Sequence, residues 1–163
     1  MCFWKNLAKF VGMKQSIDFL PERKQRDLHE LVGLIRNEVE DVVMIILYGS
    51  YARNTYVELD IRRDYGGGKI QYMSDYDILV VSKKRLGSRT VTVSSRVKSS
   101  FLKNKNANTQ TRPSIINESI TKFNNALSEG RYFYVDILTE GIVLYDSGEC
   151  QLATPCELNY SEI

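Results

Sequence analysis

The chain has 163 residues, 43% of them hydrophobic, and a formal net charge of +2 at pH 7. That length fits one domain better than two, and the apolar fraction supports a core without disulfides or a structural metal. Cys2, Cys150, Cys156 and the single His29 give no metal-ligand spacing. No apolar run approaches the roughly 20 residues of a membrane span. No membrane partner and a reducing, cytoplasmic compartment are therefore expected.

Residues 1–12 are basic and mildly apolar, without the core of a secretory leader, and read as an N-terminal extension. A domain is expected over 13–150, with 151–163 as a tail. Pro21 to about Val39 reads as a helix, with Pro21 at its first position and Leu28, Leu31, Val32, Ile35 and Val39 on one face. Val42 to Tyr48 ("VVMIILY") is a continuous apolar run of strand length, broken by Gly49-Ser50. A short helix starts at that break. Residues 56–73 read as a hairpin around Gly66-Gly67-Gly68. Those glycines are not a phosphate loop, because no Lys-Ser/Thr follows and no helix opens there.

Asp75 to Val81 is the next strand. Ser88 to about Lys103 reads as a helix despite its "TVTV", and 104–112 as a loop. Pro113 to Ile116 reads as an edge strand. Ser119 to Leu127 is a helix ended by Gly130. Tyr132 to Leu138 ("YFYVDIL") reads as a strand containing Asp136, and Gly141 to Tyr145 as another. This order implies an α/β (α+β) fold, a mixed sheet flanked by helices.

Charge is unevenly spread. Between Ile78 and Asn117 there are nine basic residues and no acid, whereas from Glu118 onward there are eight acids and two bases. The middle segment either faces an anionic ligand or is a solvated basic helix face.

Asp75 and Asp77 sit at i and i+2, which on a strand places both carboxylates on one face. Burying such a pair is costly unless a positive charge holds it. Magnesium, with its preference for hard oxygen ligands and substrate phosphates, is the natural candidate. Asp136 is a third acid in an apolar stretch. Were its strand beside that of Asp75 and Asp77, three carboxylates would converge, enough for two ions roughly 3.5–4 Å apart. The bland alternatives are a capping role for Asp75 and an ion-paired Asp136. Gly49 would let backbone approach phosphate closely, Ser50 adds a hydroxyl and Arg53 a guanidinium. The alternative there is an ordinary strand-to-helix turn capped by Ser50.

Taken together, "LYGSYARN", "SDYDILVV" and "YVDIL" resemble the nucleotidyltransferase superfamily, which includes the DNA polymerase beta-type catalytic domain, the aminoglycoside enzymes and the minimal nucleotidyltransferases. The match rests on Gly49, Ser50, Asp75, Asp77 and Asp136. The resemblance implies a nucleotidyltransferase-like fold and two magnesium ions (or manganese) on Asp75, Asp77 and Asp136. It implies nucleotide phosphates on Gly49 and Ser50, with Arg53 nearby, and Asp136 helping to activate the acceptor hydroxyl. The reaction implied is transfer of a nucleoside monophosphate, AMP from ATP, with release of pyrophosphate.

Two departures stand out. Twenty-four residues, Tyr51 to Ser74, separate Gly-Ser from Asp-x-Asp, an excess attributed to the inserted hairpin. Asn54 stands where many relatives have glycine. The resemblance is nearest the minimal branch, which implies a HEPN-domain partner or a further C-terminal helical domain, in a toxin–antitoxin setting. The acceptor is then a partner-protein hydroxyl, with RNA less favoured and an aminoglycoside an alternative. A non-catalytic module that binds and silences a HEPN partner is the other reading.

Overall fold

The computed structural model describes residues 12–155. The expected extension over 1–12 lies almost wholly outside these residues, as do Cys2, Cys156 and the end of the tail.

Helix α1 (Glu22–Glu38) begins one residue later than expected. Pro21 is its N-cap rather than its first residue, and the Pro21 carbonyl accepts from the amides of Lys24 and Gln25. Its stripe of Leu28, Leu31 and Ile35 is buried. Strand β1 (Val42–Tyr48) follows as expected. Helix α2 (Gly49–Arg53) has only five residues and starts at Gly49 itself. Strands β2 (Asp60–Arg63) and β3 (Lys69–Tyr72) form the hairpin as a separate two-stranded sheet. The Asp64 carboxylate closes its turn by accepting from the Gly66 and Gly68 amides.

Strand β4 (Tyr76–Ser82) leads to helix α3 (Arg89–Leu102). The β-branched residues of α3 do not prevent a helix, because Val93, Val97 and Phe101 bury one face at helical spacing. Strand β5 (Pro113–Ser119) is longer than expected, and helix α4 (Ile120–Ser128) is capped by the Ser119 hydroxyl, which accepts from the Lys122 amide.

The next element corrects the sequence reading. Tyr132 to Leu138 is not a strand. It lies in helix α5 (Tyr132–Glu140). Its aromatic and β-branched residues favour strands, but Ile137 and Leu138 are buried with Tyr134 packed beside them, a helical i, i+3, i+4 stripe against the sheet. Tertiary packing overrides local propensity here. Strand β6 (Ile142–Asp146) completes the fold.

The main sheet has the order β5-β4-β1-β6, with β4 and β5 parallel and the other pairs antiparallel. It is therefore mixed, and helices flank it on both faces. Leu28, Leu31, Ile35, Val93, Val97 and Phe101 pack on one face with Ile45, Leu47, Ile78 and Val80. Phe123, Leu127, Ile137 and Leu138 pack on the other with Ile46, Leu79 and Val81. Burial on both faces explains why β1 and β4 read as unbroken apolar runs. The expected tail is not detached from the domain. Leu152 and Ala153 join the second core, and Asn124 bonds the backbone of Gln151 and Ala153. No described helix is long and apolar enough to cross a membrane.

Candidate functional site

Antiparallel pairing brings the end of β1 beside the start of β4, so Tyr48 lies opposite Asp77. Parallel pairing sets the start of β5 beside the start of β4, so Asp77 also lies opposite Ser114. Directly paired residues share a face. Tyr48, Asp77 and Ser114 therefore form a row across three strands, on the face that carries Leu79 and α5. Asp75 lies one residue before β4, not in it as expected, and is close enough to raise the Asp77 pKa. Asp75 is exposed and Asp77 half-buried.

Gly49 closes this edge. Its φ is +70°, a conformation that costs glycine little. A Cβ there would collide with Asp77 Oδ2 and lie 3.1 Å from its Cγ. The Gly-Ser turn and the second aspartate thus touch. With α2 only five residues long, a summed helix dipole contributes little. What the turn offers an anion is close backbone approach and the Ser50 hydroxyl.

The electrostatics are those of a charge in want of a partner. Burial raises the Asp77 pKa, Asp75 raises it further by like-charge repulsion, and Arg53 pulls it partly back. Arg53 is itself shared, since its Nη1 lies 3.3 Å from Glu140 Oε2. The Tyr48 phenol is pushed up to about 12 by burial and by Asp77, so it stays neutral as a hydrogen-bond donor at neutral pH.

Asp136 does not join the pair as a buried strand residue. It is exposed and helical. It shares a stripe of α5 with Phe133, whose ring meets Tyr48 edge-on at 5.8 Å, and with Glu140, which holds Arg53. Asp136 thus stands on the helix face that borders the site. Among the described residues, no three of His, Cys, Asp and Glu gather as a metal-binding group.

Sequence reasoning missed Tyr48, Ser114 and Phe133. Tyr48 was visible as the last residue before Gly-Ser. Phe133 is half-exposed, at 48%, beside Tyr48. The basic segment does not converge here. Lys83 pairs with Glu149, Arg96 with Glu38 and Lys105 with Glu30. Lys83, Lys84 and Arg85 follow the opposite end of β4, and only Arg112 precedes the site end of β5. A shallow groove of about 470 Å³, lined by Lys14, Phe19, Ala52, Arg53 and Asn54 among others, adjoins the acidic edge through Arg53.

No protein-family model matches the chain, and no curated protein matches it. Among solved structures, the chain is similar to a candidate nucleotidyltransferase from Sulfolobus solfataricus, at 15% identity and a TM-score of 0.42, over 88% of this chain and 96% of that one.

Proposed function

We infer that this chain is a metal-dependent nucleotidyltransferase that moves a nucleoside monophosphate, AMP from ATP, to an acceptor hydroxyl. The observation that carries the reading is the contact between Gly49 and Asp77: a glycine turn built for close approach sits against one of two like-charged carboxylates. A charge pair that repels itself at a half-open edge is expensive in a fold and useful at a cation–phosphate site.

The donor set fits magnesium. Asp75 and Asp77 supply hard carboxylate oxygens, and among the described residues no Cys or His gathers with them as a metal-binding group. A bound cation there would neutralise charge on the phosphoryl group and on the leaving pyrophosphate. The chain's own residues do the rest. Gly49 and Ser50 receive phosphate oxygens. Arg53 adds positive charge beside Asp77 while Glu140 fixes its direction. Tyr48 offers a neutral hydroxyl. Phe133, exposed beside Tyr48, offers a face for the nucleobase. An acceptor on a HEPN-type partner protein is the reading we carry forward from the resemblance, and the basic residues paired at separate places on the surface give RNA no continuous track.

A second reading has one observation in its favour. With Asp136 outside the carboxylate pair, no third acid of the described residues is in place to draw the proton from an acceptor. A non-catalytic module that binds nucleotide and silences a partner fits that shortfall. Calorimetric titration of magnesium-ATP into the wild type and into Asp75→Asn/Asp77→Asn tests what both readings share. Binding by the wild type alone is expected, and equal binding by both proteins overturns the site. Transfer of label from α-phosphate-labelled ATP to a co-purifying partner then separates enzyme from silent module.

A further inference from the structure

Among the described residues the site offers two carboxylates, Asp75 and Asp77, and no third ligating acid beside them. We propose that this centre, read as a nucleotide site, holds a single divalent cation gripped by Asp75 and Asp77, because Ser114 stands where a second ion would need an acid.

The neighbours of Asp77 are fixed by strand pairing, and they can be inspected in turn. On β1 the opposing residue is Tyr48, a neutral phenol. On β5 it is Ser114, a half-buried hydroxyl. Beyond β1, the residue before Ile142 on β6 is Gly141, which has no side chain to offer. Glu140, one residue further back, is committed to Arg53. Asp136 is exposed on the α5 stripe that borders the site, yet among the described residues no third His, Cys, Asp or Glu gathers with the pair.

The charge count points the same way. On the protein side two divalent ions would share two carboxylates, one of which already faces the Arg53 guanidinium, so nucleotide phosphates would have to supply the remaining charge. Ions roughly 3.5–4 Å apart repel strongly, and only shared anionic ligands hold them together. One magnesium-sized ion suits what is present. It needs one or two carboxylates and completes its octahedron with water and phosphate oxygens. A cation so sparsely held by protein depends on the nucleotide for the rest of its shell, so ion and nucleotide bind as a unit. Ser114, opposite Asp77 and able to donate, is then a second-ion position left without its charge. The same gap leaves the acceptor hydroxyl without a carboxylate base from the described residues.

The test counts ions. Manganese is titrated into the chain with α,β-methylene-ATP, a non-hydrolysable analogue, and free Mn2+ is read by electron paramagnetic resonance. The wild type is expected to take up about one Mn2+ per chain, and Ser114→Asp about two, since the new carboxylate completes a two-ion centre. Ser114→Asn, similar in shape to the aspartate but neutral, is expected to stay at about one. A far-ultraviolet spectrum shows that each variant is folded. Two ions on the wild type, or no gain with folded Ser114→Asp, overturns the one-ion centre while leaving the nucleotide site intact. No uptake of Mn2+ by the wild type with nucleotide present removes the nucleotide reading itself, and the inference with it.

Discussion

Two polar clusters flank the same short helix, and they are opposites. On one side of α2, Lys24 is 3% exposed, yet its ammonium donates to Tyr51 Oη at 3.0 Å and to Thr111 Oγ1 at 2.7 Å. Tyr51 and Thr111 also bond each other at 3.0 Å, and the Tyr76 hydroxyl donates to Asp27 at 2.7 Å. Among the described residues no buried side-chain polar atom lacks a partner. On the other side, exposed Asp75 repels half-buried Asp77 as a like charge. The closed cluster ties α1, α2 and the entry to β5 together. The open one sets two like charges side by side, with Arg53 offsetting only part of their repulsion. A polar group whose bonds are complete within the protein holds structure, and one left repelling its neighbour is where the proposed ligand would act.

The comparison can be broken from the closed side first. Lys24→Ala should cost about 2–3 kcal/mol in urea unfolding, because it removes two hydrogen bonds and opens a void among Tyr51, Tyr76 and Thr111. Magnesium-ATP should still bind the folded fraction. A loss below about 0.5 kcal/mol, the scale of an ordinary surface change, would remove Lys24 from any structural role. Burial lowers the Lys24 pKa. Its folded value then lies below its unfolded value, so its unfavourable contribution should shrink as pH rises from the folded value towards 10.5.

Gly49→Ala joins the two sides. The positive φ alone should cost about 1–2 kcal/mol, and the Cβ must displace the Asp77 carboxylate. Stability and magnesium-ATP binding should fall together. Retained binding would show that the close approach of Gly49 to Asp77 serves no ligand. Phe133→Ala should act on the open side alone, weakening magnesium-ATP by about fivefold to tenfold if the ring stacks a base. Unchanged affinity would remove the base shelf without touching the carboxylate pair.

Much of the open site was legible because its parts are local. A strand, a Gly-Ser break and an Asp-x-Asp strand opening are short-range patterns. What was not legible depends on pairing and packing. Tyr48 and Ser114 become site residues only once the β1–β4 and β4–β5 registers are known. The closed cluster draws Lys24, Tyr51 and Thr111 from distant segments, which no window of sequence contains. Asp136 was misread for a physical reason. "YFYVDIL" has the composition of a strand, and only packing against the second core shows that its apolar residues repeat with helical spacing. The hairpin was legible because Asp64 and three glycines make the turn by themselves.

The most direct test of the account follows the thermal midpoint of the wild type and of Asp77→Asn, with and without magnesium-ATP. The folded pKa of Asp77 lies above its unfolded value, so the charged carboxylate costs stability once pH rises through the folded value. At pH 7 without ligand, Asp77→Asn should therefore be the more stable protein, by up to about 1 kcal/mol, and the gap should close towards pH 3. With saturating magnesium-ATP the order should reverse, because only the wild type gains from binding. An Asp77→Asn protein that is less stable without ligand, or that gains as much from magnesium-ATP as the wild type, would contradict the claim that the carboxylate pair is held for a cation and a nucleotide.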